Sequence, residues 1–214
     1  PSTTEEVSAI LTLADELRVS VTCRSAGTGL SGAAIPDADG ILLSLERMAS
    51  VIEIDTANHV AVVQPGVTLG QLDEALAPHG LDYPILPGAE SATLGGNVAT
   101  NAGGMRAVKY GVTRHQVLGL EAVLPTGEIV RSGGKYVKFT TGYDIGQLII
   151  GSEGTLAVVT EVTLRVVPRL PHKATLLAPF ATLAEVTEAV PTILQAGLVP
   201  LMLEYVDAMA MSAT

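Results

Sequence analysis

The chain has 214 residues, 48% of them hydrophobic, and a formal net charge of −10 from 22 acidic and 12 basic side chains. That balance argues against a general nucleic-acid surface, which needs clustered Lys and Arg against phosphate. The single cysteine, Cys23, rules out a disulfide framework or a thiolate metal site within the chain.

Ser2-Thr3-Thr4 ahead of Glu5-Glu6 offers a capping box, and Val7, Ile10, Leu11, Ala14 and Leu17 then share one helical face. Val19 to Cys23 reads as a strand running into a glycine-rich turn. Ile41 to Leu45, Val51 to Asp55 and Val60 to Gln64 read as further strands. Thr68 caps a helix through Leu76, with Gly80 placed to end it. Val117 to Leu124 and Glu128 to Arg131 flank Pro125-Thr126-Gly127 as a hairpin. Asp144 caps a short helix ending at Gly151, and Thr155 to Thr160 and Glu161 to Val167 alternate in strand fashion. Pro168 to Pro171 marks a boundary. After it come a strand (Ala174 to Ala178), a helix (Leu183 to Ala196, with Pro191 as a kink) and a strand (Leu198 to Val206). A strand–helix–strand unit so late in the chain predicts the incomplete start of a second domain. Pro1 in place of Met predicts that the natural N-terminus is trimmed or lies upstream. No run approaches a membrane-spanning length and no basic-then-apolar leader opens the chain. With one cysteine, a cytoplasmic setting, or one peripheral to a membrane, is expected.

Three loops could carry chemistry. In Arg24-Ser25-Ala26-Gly27-Thr28-Gly29-Leu30-Ser31-Gly32, the glycines match the G-x-G-x-x-G dinucleotide fingerprint. That fingerprint requires a helix to begin at the glycines. Ala33 to Asp37, Gly40 and another strand follow instead, so the Rossmann reading fails on context. A run of N–H groups can still bind phosphate as a nest, and a tight turn between strands is an equal alternative. The second loop, Pro87 to Gly104, holds five glycines, two asparagines and two threonines. Such a composition suits backbone brought close to a ligand, with Leu94 and Val98 set to bury. The third, Gly151-Ser152-Glu153-Gly154-Thr155-Leu156, lacks the lysine of a Walker motif and, taken alone, reads rather as a helix-to-strand turn.

These loops stand in a fixed order with Pro65-Gly66-Val67, Lys109-Tyr110-Gly111 and Gly142-Tyr143-Asp144. Together they resemble the FAD-binding domain of the vanillyl-alcohol oxidase and p-cresol methylhydroxylase superfamily. The closest branch is the glycolate oxidase D-subunit and D-lactate dehydrogenase group. The resemblance covers residues 1 to about 170, and residues 171–214 resemble the opening of that branch's substrate or cap domain. It implies an α+β fold of two α/β subdomains with FAD extended between them. Ser25, Ala26, Gly27, Thr28, Gly29, Ser31 and Gly32 would wrap the pyrophosphate, with Ser25 where the family usually has glycine. Pro87, Gly88, Ser91 and Thr93 would line the ribityl and phosphate track. Gly95, Gly96, Asn97, Asn101, Gly103 and Gly104 would sit near the flavin ring and diphosphate. Glu153, Gly154, Val158 and Val159 would contact the adenosine or ring edge.

The resemblance further implies oxidation of a small 2-hydroxy acid by hydride transfer to FAD, with electrons passing to a quinone, an electron carrier or a partner subunit. The first loop has no histidine, so FAD is expected without a covalent link. His59, His79, His115 and His172 form no metal-ligand spacing. The acidic pairs Asp15-Glu16 and Asp73-Glu74 read as solvated helix faces, and Cys23 as a small hydrophobe under the first loop. No catalytic residue is named: the catalytic base and carboxylate clamp are expected in segments beyond these 214 residues, and the chain alone is expected to turn over nothing. A sugar-lactone or alcohol oxidase on the same fold, a reductase taking hydride from NADPH, and a non-catalytic partner-subunit domain are the alternatives.

Overall fold

The computed structural model describes residues 1–212. Helix α1 (Thr4–Leu17) is capped by the Thr3 hydroxyl, which accepts from the Glu6 N–H, and buries Val7, Leu11 and Ala14. Leu17, expected on the same face, stands exposed where the chain leaves the helix through Arg18 in the left-handed region. Strand β1 (Val21–Arg24) pairs in parallel with β2 (Ile41–Ser44), and the glycine loop connects them.

Next come β3 (Val51–Asp55), β4 (Val60–Val63) and α2 (Leu69–Leu76), whose Thr68 and Gln71 close a capping box. Gly80 closes the one-turn 3₁₀ extension that follows α2, and β5 (Leu81–Asp82) leads toward α3 (Leu94–Thr100) and α4 (Ala107–Tyr110). Strands β6 (Val117–Val123) and β7 (Ile129–Gly133) form the expected hairpin. Asp144 caps α5 (Ile145–Ile149) by accepting from the Gln147 N–H. Where two strand-like runs were expected, one long strand forms, β8 (Val158–Arg165), followed by the short β9 (Val167–Pro168) paired with β5. The chain ends in α6 (Leu183–Gln195) and α7 (Ala208–Ser212).

Strands β3-β4-β8-β6-β7 form one antiparallel sheet in that order. Its β4 is buried throughout, because neighbours lie on both edges and packing covers both faces. On one face Ala61, Val63, Leu120, Ala122, Val162 and Leu164 meet α2 and α3. A second core joins α1 and β2 to the sheet through Val7, Leu11, Leu43, Met48, Val123 and Val158. The molecule is therefore a small parallel α/β unit set against a larger antiparallel one, an α+β arrangement.

The expected strands Ala174 to Ala178 and Leu198 to Val206 do not form. Residues 171–180 are exposed throughout, and a β-branched or apolar run becomes a strand only when another strand accepts its hydrogen bonds. Helix α6 does form, with Pro191 inside it and no residue buried. Among the described residues no helix is long and apolar enough to cross a membrane.

Candidate cofactor site

Helix α3 is the least expected element. It has seven residues, two of them glycine, where an isolated helix needs about 12–15 residues even in a favourable sequence. Tertiary bonds hold it. The Leu94 N–H donates to the Val67 carbonyl (2.8 Å) and the Gly95 N–H to the Pro65 carbonyl (2.8 Å). Leu94 and Val98 are fully buried, each contributing about 1.5–3 kcal/mol of apolar burial. Asn101 ends the helix in the left-handed conformation.

The third loop docks on the far end of this helix. The Gly151 N–H donates to the Val98 carbonyl (3.0 Å) and the Glu153 N–H to the Ala99 carbonyl (2.8 Å). The Ala99 carbonyl, one of those a helix leaves unpaired at its C-terminus, is satisfied in this way, and the Val98 carbonyl, which also accepts from the Asn101 N–H, gains a second donor. Glu153 itself takes a positive φ of 55°, so the loop turns sharply at this point.

A cleft opens where these pieces meet the end of β1. It is lined by Arg24 and Ser25 from the first loop, Gly95, Gly96 and Ala99 from α3, Ser152 and Gly154 from the third loop, and Val158 and Val159 from β8. Cys23, Gly154, Ala157 and Val158 continue into a groove of mixed polarity along Leu11, Asp15, Val21 and Val123. Burial pushes the Cys23 thiol up to about 11, which suits an inert wall residue.

Three polar side-chain atoms here are buried without a partner: Thr93 Oγ1, Asn97 Nδ2 and Ser152 Oγ. Buried polar groups are almost always paired in native proteins; of these three residues Ser152 lines the cleft, whereas Thr93 and Asn97 lie on the α3 segment beside it. Ser25 lies on the floor of the cleft and stays out of the left-handed region, so serine in place of glycine is unstrained there. A Cβ added at Gly29 would meet no heavy atom within 4 Å, so its smallness serves no protein contact. An extended cofactor carrying polar and apolar parts fits this set of residues.

The sequence-designated residues divide by position. Ser25, Gly95, Gly96, Gly154, Val158 and Val159 come together around the cleft, with Thr93 and Asn97 in the same helix segment. Ala26, Gly27, Thr28, Gly29, Ser31 and Gly32 form the exposed rim between β1 and β2. Gly103 and Gly104 lie farther along, where a Cβ at Gly104 would stand 1.8 Å from the Leu86 carbonyl oxygen and 2.9 Å from the Pro87 Cα. Gly88 and Ser91 are exposed beyond them. Asn101 is occupied structurally, its Oδ1 accepting from the Arg114 N–H (3.0 Å). Arg24, Ala99 and Ser152 line the cleft although no reading of the glycine motifs assigned them a contact.

A family described as an FAD binding domain matches residues 1–133, and one described as the C-terminal domain of FAD linked oxidases matches residues 169–214. Over 213 residues the chain is 61% identical to an uncharacterised FAD-linked oxidoreductase of Mycobacterium tuberculosis, covering 100% of this chain and 46% of that protein. It is 48% identical to a D-lactate dehydrogenase of Archaeoglobus fulgidus (97% and 46% covered) and 43% identical to the glycolate oxidase subunit GlcD of Bacillus subtilis (97% and 44%). The chain thus spans about half the length of these curated relatives. Among solved structures, an alkyldihydroxyacetonephosphate synthase superposes with a TM-score of 0.77 at 26% identity, over 94% of this chain and 37% of that one.

The fold and the family match define a flavin-binding protein of the p-cresol methylhydroxylase type. The chain belongs to the family of FAD binding domains of FAD-linked oxidases, and its cofactor is FAD.

Proposed function

We propose that this chain is the cofactor-binding part of a flavin-dependent dehydrogenase acting on a small 2-hydroxy acid of the D-lactate or glycolate kind. The observation that carries this reading is the 48% identity to a D-lactate dehydrogenase across nearly the whole chain. Bound FAD would supply the oxidant, accepting hydride from the substrate α-carbon as the hydroxyl loses its proton and the 2-oxo acid forms. The residues of this chain bind and orient. Backbone from Ser25 to Gly32 would cradle the pyrophosphate as a nest, with the Arg24 cation at its edge. Gly96 and Ala99 would let the flavin approach α3, and Asn97, Thr93 and Ser152 would supply hydrogen bonds. With no histidine in the first loop, the attachment is non-covalent.

In this reading residues 1–170 form the FAD-binding domain and residues 171–214 open a second one, which carries the base and the carboxylate clamp. These 214 residues alone are then inactive. The Bacillus relative is named as a subunit, which supports a partner subunit or electron carrier as the next acceptor. The likeness to alkyldihydroxyacetonephosphate synthase favours, as a second reading, a different reaction on the same fold.

The test uses the full-length protein that carries this chain, loaded with FAD and kept free of oxygen. D-lactate or glycolate is expected to bleach the oxidised flavin band within seconds, and L-lactate to do so far more slowly. Bleaching by a sugar lactone or simple alcohol, and by no 2-hydroxy acid, would establish the second reading instead.

A further inference from the structure

Arg114 sits in the one-turn 3₁₀ helix Thr113–His115, outside the three glycine loops of the sequence. Its backbone N–H donates to Asn101 Oδ1 (3.0 Å), the residue that caps α3. Its Nη2 donates to the Ile150 carbonyl (3.0 Å) and its Nη1 reaches Gln147 Oε1 (3.4 Å), both at α5. The Gln147 amide returns a contact to the Arg114 carbonyl (3.5 Å). The next residue after Ile150 is Gly151, where an added Cβ would stand 3.2 Å from the Asn101 Cβ and 3.3 Å from Arg114 Nη2. One residue therefore grips the end of α3 with its backbone and the root of the third loop with its guanidinium.

Both elements line the cleft, Gly95, Gly96 and Ala99 from α3 and Ser152 and Gly154 from the loop docked on its end. We propose that Arg114 is a positioning residue for the cofactor, holding the third loop in place against the end of α3 without touching FAD itself. The planar fork suits this task, because it serves two acceptors in fixed directions, whereas a lysine ammonium offers a single point of attachment. The proposal rests on FAD as the occupant of the cleft.

The test compares four variants of the full chain: Arg114→Met, Arg114→Lys, Gln147→Leu and, as a matched control, Arg165→Met. Arg165 approaches the same turn from β8, donating to Gln116 Oε1 (3.3 Å) and the His115 carbonyl (3.2 Å), and bonds to neither α3 nor the third loop. FAD affinity is read by quenching of flavin fluorescence, and flavin geometry by visible circular dichroism, well below the melting temperature of each apoprotein. Arg114→Met is expected to weaken FAD at least about ten-fold and to change the dichroism of the bound flavin. Arg114→Lys should recover part of both, and Arg165→Met should match wild type in both even where it lowers thermal stability. Gln147→Leu, which keeps the Ile150 contact, should weaken FAD by a smaller factor and keeps the test open should Arg114→Met fail to fold. Wild-type affinity and dichroism in Arg114→Met, or equal losses in Arg165→Met, would overturn the role of Arg114. A wild-type chain that takes up no FAD would overturn the cofactor assignment along with it.

Discussion

Gly95 presses so closely on Pro65 that a Cβ added to it would stand 2.5 Å from the proline Cβ and 3.0 Å from the proline carbonyl oxygen. At Gly29 the same addition meets open space, and the residue keeps out of the left-handed region. The two glycines are small for different reasons: Gly95 because the protein packs on it, and Gly29, in the proposed reading, to leave room for the ligand.

Gly95→Ala is accordingly expected to destabilise the apoprotein by about 1–3 kcal/mol, as overpacking does, seen as a fall of several degrees in its melting temperature. Gly29→Val should leave that temperature unchanged and weaken FAD at least about ten-fold in a fluorescence titration. Unchanged affinity in Gly29→Val would reduce the first loop to a plain turn. Gly103→Val is a poorer probe, since its Cβ would crowd Val112 Cγ1 at 2.8 Å whether or not a ligand binds there.

Ser152 presents a buried hydroxyl with no protein partner. Removing it costs the apoprotein no hydrogen bond, so Ser152→Ala is expected to melt at the wild-type temperature or slightly above. Loss of one net hydrogen bond to FAD, about 1 kcal/mol, corresponds to roughly five-fold weaker binding. A destabilised apoprotein with wild-type affinity would assign the hydroxyl to the fold instead.

Burial holds the Cys23 thiol at about 11. Because alkylation proceeds through the thiolate, its rate at pH 8 should be on the order of a hundred-fold below that of free cysteine. It should climb steadily up to about pH 11. In the proposed reading FAD covers the cleft that Cys23 lines, and its addition should slow the rate further. Fast labelling at pH 8, followed by mass spectrometry, would contradict the assigned burial.

Glu161 faces Glu121 across the β6–β8 pairing, and Glu121 is itself tied to Arg131 and to the Thr4 and Thr160 hydroxyls (2.7 and 3.0 Å). Burial first, and the Glu121 charge second, raise the Glu161 carboxyl above its ordinary value, while Arg131 and Lys135 pull the other way. The folded state then binds the Glu161 proton more tightly than the unfolded state does. The resulting stability is present in full below the unfolded value and is lost as pH rises through the folded one. Glu161→Gln should therefore flatten the stability profile in the weakly acid range and gain up to about 0.5 kcal/mol at pH 7, the group being partly solvated. Urea midpoints at pH 4 and pH 7 for both proteins would show it.

The elements legible in the sequence were those whose signal is local. Thr3 and Thr68 cap the helices that follow them, and Pro125-Thr126-Gly127 turns the hairpin, with the Gly127 N–H donating to the Leu124 carbonyl. Helix α3 was not legible as a helix, since Leu-Gly-Gly-Asn-Val-Ala-Thr lacks propensity and owes its shape to bonds that its first N–H groups donate to the Pro65 and Val67 carbonyls. The apolar runs at 174–178 and 198–206 carried the opposite error, because strand character without a partner strand gives no strand. The site divides the same way. Glycine loops announce themselves by composition, but Ser152 and Arg114 are common residue types whose roles arise only when α3, α5 and the third loop are brought together.

The cleft runs along the seam between two hydrophobic cores. Ser25 and Arg24 hang from the α1–β1–β2 unit, whereas α3 and its docked loop belong to the large sheet, and Val123 and Val158 form the apolar bridge between the two. A ligand held by both sides works as a crossbeam. Without FAD, amide exchange in α1, β1 and β2 is expected at a lower opening energy than in β4, β6 and β8, so that the molecule breathes as two units. With FAD seated, those opening energies should converge, since neither unit can detach without releasing the ligand. The flavin then makes the two units unfold as one body, and the supply of cofactor during synthesis bears on whether this region becomes a single cooperative domain.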